Sequence, residues 1–137
     1  PHYLGLKEAS WNLDHVRAFK AAAPKSPLYC GDDNLIKEFV AEGAIGHVSV
    51  ASNVWPEKTH HYWNLCTIDP SKLLKEWVPI VDTLFHAPSP IPAKAIMQHK
   101  GQIPSAHVRL PLDINDLQPE TLQTLIEADK TLQDWDS

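Results

Sequence analysis

The residue in this sequence with the most chemistry to offer is Lys7. Tyr3, Leu4 and Leu6 form an apolar run of strand length, and a helical pattern opens soon after it. Lys7 is therefore predicted at or near the carboxyl end of a buried strand. Desolvation disfavours an ammonium ion and lowers the lysine pKa, which frees the amine to attack a carbonyl and form a Schiff base. A plainer role fits the same pattern: a lysine that ends its strand and carries its charged head to water. The residues alone leave both open.

Other residues with chemical potential have simpler readings. Gly31-Asp32-Asp33 reads as a turn after a second strand, with Asp33 placed to cap a helix from Asn34 to Glu42. His60 and His61 invite a metal. Adjacent helical positions point about a third of a turn apart, however, and no Asp, Glu or Cys stands at ligand spacing, so no metal site is predicted. Cys30 and Cys66 fall in separate predicted elements without metal spacing and read as free thiols of a reducing compartment. Lys94, in the first turn of a helix behind a Pro-rich turn, reads as a surface or packing group.

The elements that position these residues follow from periodicity. Residues 2–7, 27–30 and 46–50 are predicted as adjacent parallel strands in chain order. Helices over 13–23, capped by Asn12 or Ser10, and over 34–42 pack on their outer side. Pro56 then opens a helix running to about Cys66. Asp69-Pro70 starts a longer helix carrying Leu73, Trp77 and Val81, and Leu74, Val78 and Phe85, with a kink expected at Pro79. His86 to Pro92 is a Pro-rich turn, Ala93 to His99 a short helix, and Arg109-Leu110-Pro111-Leu112 an extended segment. The final helix has Pro119 in its first turn, Leu117 and Leu122 placed as a hydrophobic staple, and Leu125, Ile126 and Leu132 on its buried face. A soft boundary near Thr67 divides residues 1–66, three βα units, from residues 67–137, helical throughout.

The chain has 137 residues, 43% hydrophobic and 21% charged, with a formal net charge of −5. That suits one globular domain with a sizeable core. An acidic chain lacks the basic surface that phosphate binding needs, so nucleic acid is not the expected partner. No apolar run reaches the length of a membrane span and no signal segment opens the chain, so no membrane role and a cytoplasmic location are expected. The chain starts with Pro1 and enters a strand almost at once, as a truncated or cleaved chain would.

Gly5-Leu6-Lys7-Glu8-Ala9-Ser10, with Asn12-Leu13 behind it, resembles the G-[IL]-K-[ED]-[AS]-[ST] signature of the dihydrodipicolinate synthase family, pyruvate-dependent class I aldolases and lyases built on (β/α)8 TIM barrels. Three further resemblances follow in the family's order. They are Gly31-Asp32-Asp33, Gly46-His47-Val48-Ser49-Val50-Ala51-Ser52-Asn53, and Ala87 to Lys94 with Arg109-Leu110-Pro111-Leu112. The resemblance implies an α/β fold: the C-terminal part of a TIM barrel, its last three βα units, plus a helical C-terminal extension.

It also implies a chemistry. Lys7 is the catalytic residue that forms the imine with pyruvate. Gly31 lines the pyruvate pocket through its main chain, and Val48 contacts pyruvate through its backbone amide. The resulting enamine attacks aspartate semialdehyde, a step towards diaminopimelate and lysine. No metal or cofactor is implied, because the imine is the electron sink. The family's proton-relay hydroxyls belong to the first five βα units; Tyr3, Tyr29 and Tyr62 do not sit in its tyrosine motif, and His47, unusual on such a strand, is given no functional account by the resemblance.

Three parallel strands cannot close a barrel, and open edges invite pairing. Residues 1–137 alone are expected to be inactive, and to associate as a homo-oligomer (a dimer of dimers) or with the N-terminal barrel portion. Two alternatives differ in function. One is a sibling lyase acting on N-acetylneuraminate or a keto-deoxy sugar acid. The other is a non-catalytic fragment serving as a scaffold or assembly partner.

Overall fold

The structure, a computed structural model, describes residues 2–135; Pro1, where the expectation of a cleaved chain rests, lies outside the described residues. A parallel sheet of three strands runs in the order β1 (Leu6–Glu8), β2 (Leu28–Cys30), β3 (Gly46–His47). Lys7 stands opposite Tyr29, and Tyr29 opposite Gly46; Glu8 stands opposite Cys30, and Cys30 opposite His47. Because strand side chains alternate, one row of positions faces the helices and buries Leu28 and Cys30. The other row carries Lys7, Tyr29 and Gly46, and two residues further on it reaches Gly31 and Val48.

Helix α1 (Leu13–Ala22) starts where Asn12 accepts the Asp14 amide at 2.9 Å, buries Val16 and carries Lys20 in its last turn. Helix α2 (Ile36–Ala41) turns Ile36 and Phe39 into the core. It ends in a Schellman motif: Ala44 donates to the Phe39 carbonyl, Gly43 to that of Val40, and Gly43 holds φ +83°, where a side chain would be strained. After β3 come α3 (Ala51–Val54), absent from the sequence expectation, and α4 (Pro56–Ile68) with Pro56 in its first turn. Helices α5 (Trp77–Asp82), α6 (Ile91–His99) and α7 (Pro119–Asp134) complete the chain.

The strands are shorter than expected. The run at Tyr3 and Leu4 lies outside β1 and is exposed. Lys7 is exposed as well, rather than at the end of a buried strand. The physical reason is that β1 is an edge strand, with β2 as its one neighbour, and its helix-free face is uncovered. The long helix expected from Asp69 is broken. A 3-10 turn at Pro70–Lys72 gives way to extended backbone at Leu73 (φ −60°, ψ 137°), and α5 begins four residues later. Pro79 thus falls in the first turn of α5, where its missing N–H costs nothing, so no kink forms there. The Arg109–Leu112 segment is a turn, closed by Leu112 N–H to the Arg109 carbonyl at 3.1 Å, with a cis Leu110–Pro111 bond.

One hydrophobic core spans both parts of the chain: Val16, Leu28, Ile36 and Phe39 join Trp77, Leu84, Ile96, Leu125 and Leu132. Polar ties reinforce it. Trp77 Nε1 donates to the Asp33 carbonyl at 2.9 Å while its ring stacks on Tyr62, centroids 4.4 Å apart. Asp129, buried on α7, accepts Trp55 Nε1 at 2.7 Å and pairs with Lys100. None of the described helices is long and apolar enough to cross a membrane.

Candidate active site

The carboxyl ends of the three strands gather the chemically capable residues. Lys7, Gly31 and Val48, singled out from the sequence, share the uncovered face. The closest link among them joins the first two. A Cβ built on Gly31 would lie 2.6 Å from Lys7 Cε, 2.5 Å from Ala9 Cβ and 2.8 Å from the Glu8 carbonyl. Such approaches admit no side chain: the Ala9 methyl and the Glu8 carbonyl are fixed and bar a Cβ at residue 31, and the Lys7 stem runs across the space that is left. The Gly31 amide closes the last β1–β2 rung by donating to the Glu8 carbonyl at 2.7 Å.

Val48 corrects one expectation. Its amide is not free for a ligand, because it donates to the Cys30 carbonyl at 2.8 Å. The ladder between β2 and β3 runs one residue past the strand and consumes that N–H. Val48 as a residue is 49% exposed.

Tyr29, to which the sequence assigned no role, stands opposite Lys7 on the same face. A Cβ on Gly46 would meet its ring at 2.8 Å, and one on Gly5 would meet its other edge at 3.0 Å. Gly46, in register with Tyr29, and Gly5, ahead of β1, are the signals that point to this packing.

Asp33 also behaves differently from its expected role. It does not cap α2, whose N-cap residue is Leu35 and has no side-chain cap bond. Its carboxylate reaches across to β3 instead: Oδ2 accepts the amides of Val50 and Ala51, each at 3.0 Å, and Oδ1 accepts the Ser49 hydroxyl. A charged acceptor at bare helix N–H groups is worth more than a local turn bond, so Asp33 caps α3. His47 Nε2 stands 3.2 Å from Asp33 Oδ1, off the line of a hydrogen bond. Its ring lies parallel to Trp63, centroids 6.1 Å apart. Burial pushes the Asp33 carboxyl up, but His47, Ser49 and the Ala51 amide outweigh it and hold the group below the ordinary carboxylate range. His47 thereby gains a structural account.

Asp32 is buried too. Its Oδ2 accepts the Trp11 amide at 2.9 Å. Burial raises its carboxyl above the usual range, against the opposing pull of the Trp11 N–H and the Lys7 charge. Trp11 holds φ +57°, a left-handed conformation that costs an L-residue roughly 1–2 kcal/mol. Neither the conformation nor the bond has a local sequence signature.

The remaining candidates stand apart. Lys94 Nζ donates to the His107 carbonyl, which ties α6 to the following loop and bears out a packing role. His60 bonds Asn64 and His61 packs on Trp135. A groove of about 330 Å³, lined by Gly46, His47, Ser49, Thr59 and Trp63, follows the edge of β3, two strands away from Lys7.

A lysine, a glycine that makes room for it and a strand-end valine, all at the carboxyl ends of parallel strands, match the placement of active sites in (β/α)8 barrels. A model of the Dihydrodipicolinate synthetase family matches residues 1–130. The chain belongs to the dihydrodipicolinate synthetase family. It is 38% identical over 133 residues to a 4-hydroxy-tetrahydrodipicolinate synthase of Wolbachia pipientis subsp. Culex pipiens (strain wPip), covering 97% of this chain and 45% of the relative. It is 34% identical over 130 residues to a protein of the same name from Chlamydia pneumoniae, covering 93% of this chain and 43% of the relative. Among solved structures, the 4-hydroxy-tetrahydrodipicolinate synthase of Methylacidiphilum fumariolicum SolV superposes with a TM-score of 0.83 at 30% identity, over 95% of this chain and 44% of that one. The chain thus spans less than half the length of these relatives and corresponds to their C-terminal part. Within the dihydrodipicolinate synthetase family, its fold is the last three βα units of a TIM barrel followed by a helical C-terminal segment.

Proposed function

We propose that this chain contributes the Schiff-base lysine to a lyase that condenses pyruvate with aspartate semialdehyde, giving 4-hydroxy-tetrahydrodipicolinate on the route to diaminopimelate and lysine. The observation that carries this reading is the Lys7 stem lying across bare Gly31 on the uncovered sheet face. The names of the relatives support the same reaction.

The Lys7 amine adds to the pyruvate ketone and water leaves, giving an imine whose protonated nitrogen acidifies the methyl group. Loss of a methyl proton gives the enamine, which attacks the aldehyde carbon. The amino group of the second substrate then closes on the imine carbon and releases Lys7. The imine nitrogen serves as electron sink throughout, so the reaction calls for no metal or cofactor. Gly31 keeps the lysine stem clear, and Val48 walls the pocket with its carbonyl or side chain, its amide being engaged with Cys30.

The activity belongs to a complete barrel, in which five further βα units cover the inner face and supply the proton-relay hydroxyls. The free edges of β1 and β3 pair with strands of that remainder. Residues 1–66 are its last three βα units, and residues 67–137 an extension that buttresses them through Trp77 and Asp129. The complete enzyme is a cytoplasmic homo-oligomer, a dimer of dimers. The test is consumption of aspartate semialdehyde by a complete barrel containing these residues. Turnover that requires pyruvate and falls to background in Lys7→Arg supports the reading, since a guanidinium does not condense with a ketone. Cleavage of N-acetylneuraminate or a keto-deoxy sugar acid in its place would keep the lysine chemistry and reassign the substrate.

A further inference from the structure

Trp11 is the one non-glycine among the described residues with a positive φ. A bulky aromatic residue persists in that conformation only where its surroundings over-determine it, and such places concentrate at functional sites. The surroundings here are specific. On the chain itself, Ser10 donates its amide to Glu8 Oε1 at 3.0 Å, Ser10 Oγ lies 2.9 Å from His15 Nδ1, and Asn12 caps α1. The exposed Trp11 ring meets Phe85 edge-on at 5.6 Å. The Trp11 amide is held from the neighbouring strand, by the Asp32 carboxylate at 2.9 Å.

That last contact continues the sheet. The final backbone rung between β1 and β2 is Gly31 N–H to the Glu8 carbonyl. One residue further along β2, the Asp32 side chain takes over from the backbone and pins Trp11. The two segments it joins are those that set the Lys7 stem against Gly31. We propose that Asp32 is a positioning residue for Lys7: its buried carboxylate, by accepting the Trp11 amide, locks the turn that ends the lysine strand. This inference rests on the reading of Lys7 as the imine-forming residue.

The experiment follows pyruvate trapping by borohydride in a complete barrel containing these residues, comparing wild type, Asp32→Asn, Asp32→Ala and the double variant Asp32→Ala with Trp11→Gly. Asn keeps an oxygen acceptor at the same place and should trap within about threefold of wild type. Ala removes the acceptor, and the maximal trapping rate at saturating pyruvate should fall about tenfold or more. Glycine at position 11 adopts the left-handed turn without strain, so the double variant should recover most of that loss. A purely structural role for Asp32 would lower thermal stability while the folded Asp32→Ala protein traps at the wild-type maximal rate. An Asp32→Ala protein that traps at the wild-type rate, an Asp32→Asn protein as slow as Asp32→Ala, or a loss that Trp11→Gly leaves unchanged would each overturn the proposal. Amide hydrogen exchange tests the lock itself: Trp11 N–H should be protected in wild type and Asp32→Asn and open in Asp32→Ala. Failure of wild type to trap pyruvate would retire the enzyme reading and the positioning role with it, whereas an unprotected Trp11 amide in a trapping wild type would retire only the lock.

Discussion

The Lys7 side chain crosses Gly31 so closely that a methyl group on the glycine would lie 2.6 Å from Lys7 Cε. Gly31→Ala therefore has to displace the lysine stem, the Ala9 methyl and the Glu8 carbonyl that accepts the Gly31 amide. Overpacking of this kind costs about 1–3 kcal/mol. The expected outcome in a complete barrel is a folded but less stable protein whose rate of imine formation with pyruvate drops by more than its pyruvate affinity. Rapid-quench trapping beside urea unfolding separates the two effects.

Asp33 makes stability depend on acid. Its carboxyl sits below the ordinary value of 3.8 in the folded protein, because His47, Ser49 and the Ala51 amide outweigh the upward push of burial. A depressed carboxylate contributes stability that is complete above the unfolded pKa and is lost as pH falls through the folded one. Asp33→Ala should cost about 1–3 kcal/mol at neutral pH, since it leaves the Ser49 hydroxyl and the α3 amides without their acceptor. The gap between wild type and variant should narrow only below about pH 4. Denaturant titrations at several pH values check both the size and the window.

Cys30 and Cys66 are free and buried, and burial pushes each thiol up to about 12. At neutral pH neither supplies appreciable thiolate. A disulfide reagent should label both only at the rate of unfolding, reading about two thiols per chain in denaturant and close to none in native protein. Rapid native labelling of either cysteine would contradict this packing.

The fold was legible wherever the signal is local. Alternation of short apolar runs with amphipathic segments located the three strands, and the family resemblance singled out Lys7, Gly31 and Val48 at or near their carboxyl ends. Asn12, Gly43, Pro56 and Pro119 mark helix ends by their own local chemistry, a capping side chain, a bare Cα or a ring that fixes φ. Three features were not legible, each for a long-range reason. Asp33 looks like a cap for the helix that follows it, and its better partners, Val50 and Ala51, lie a whole βα unit downstream. The exposure of Lys7 depends on what covers the inner face, which no pattern within these residues reports. Trp11 takes a conformation that its own type disfavours, held by Asp32 from the next strand. Periodicity likewise hid the break at Leu73, because the apolar spacing continues through it.

The helical extension is held to the barrel units by a buried polar tie as well as by the shared core. Asp129→Ala leaves Trp55 Nε1 and the Lys100 ammonium without their acceptor and should cost about 2–3 kcal/mol. Asp129→Asn, which keeps an oxygen for Trp55, should lose less. Urea unfolding monitored by tryptophan fluorescence ranks the three proteins.

The central claim is that Lys7 is the nucleophile. Borohydride added to a complete barrel in the presence of pyruvate should reduce the imine to a secondary amine and leave a permanent pyruvate-derived mass on the peptide containing Lys7. The peptide containing Lys94 should stay unmodified, Lys7→Arg should abolish the label, and substitution of Lys94 should not. Label on Lys94, or none on a folded complete protein, would contradict the account.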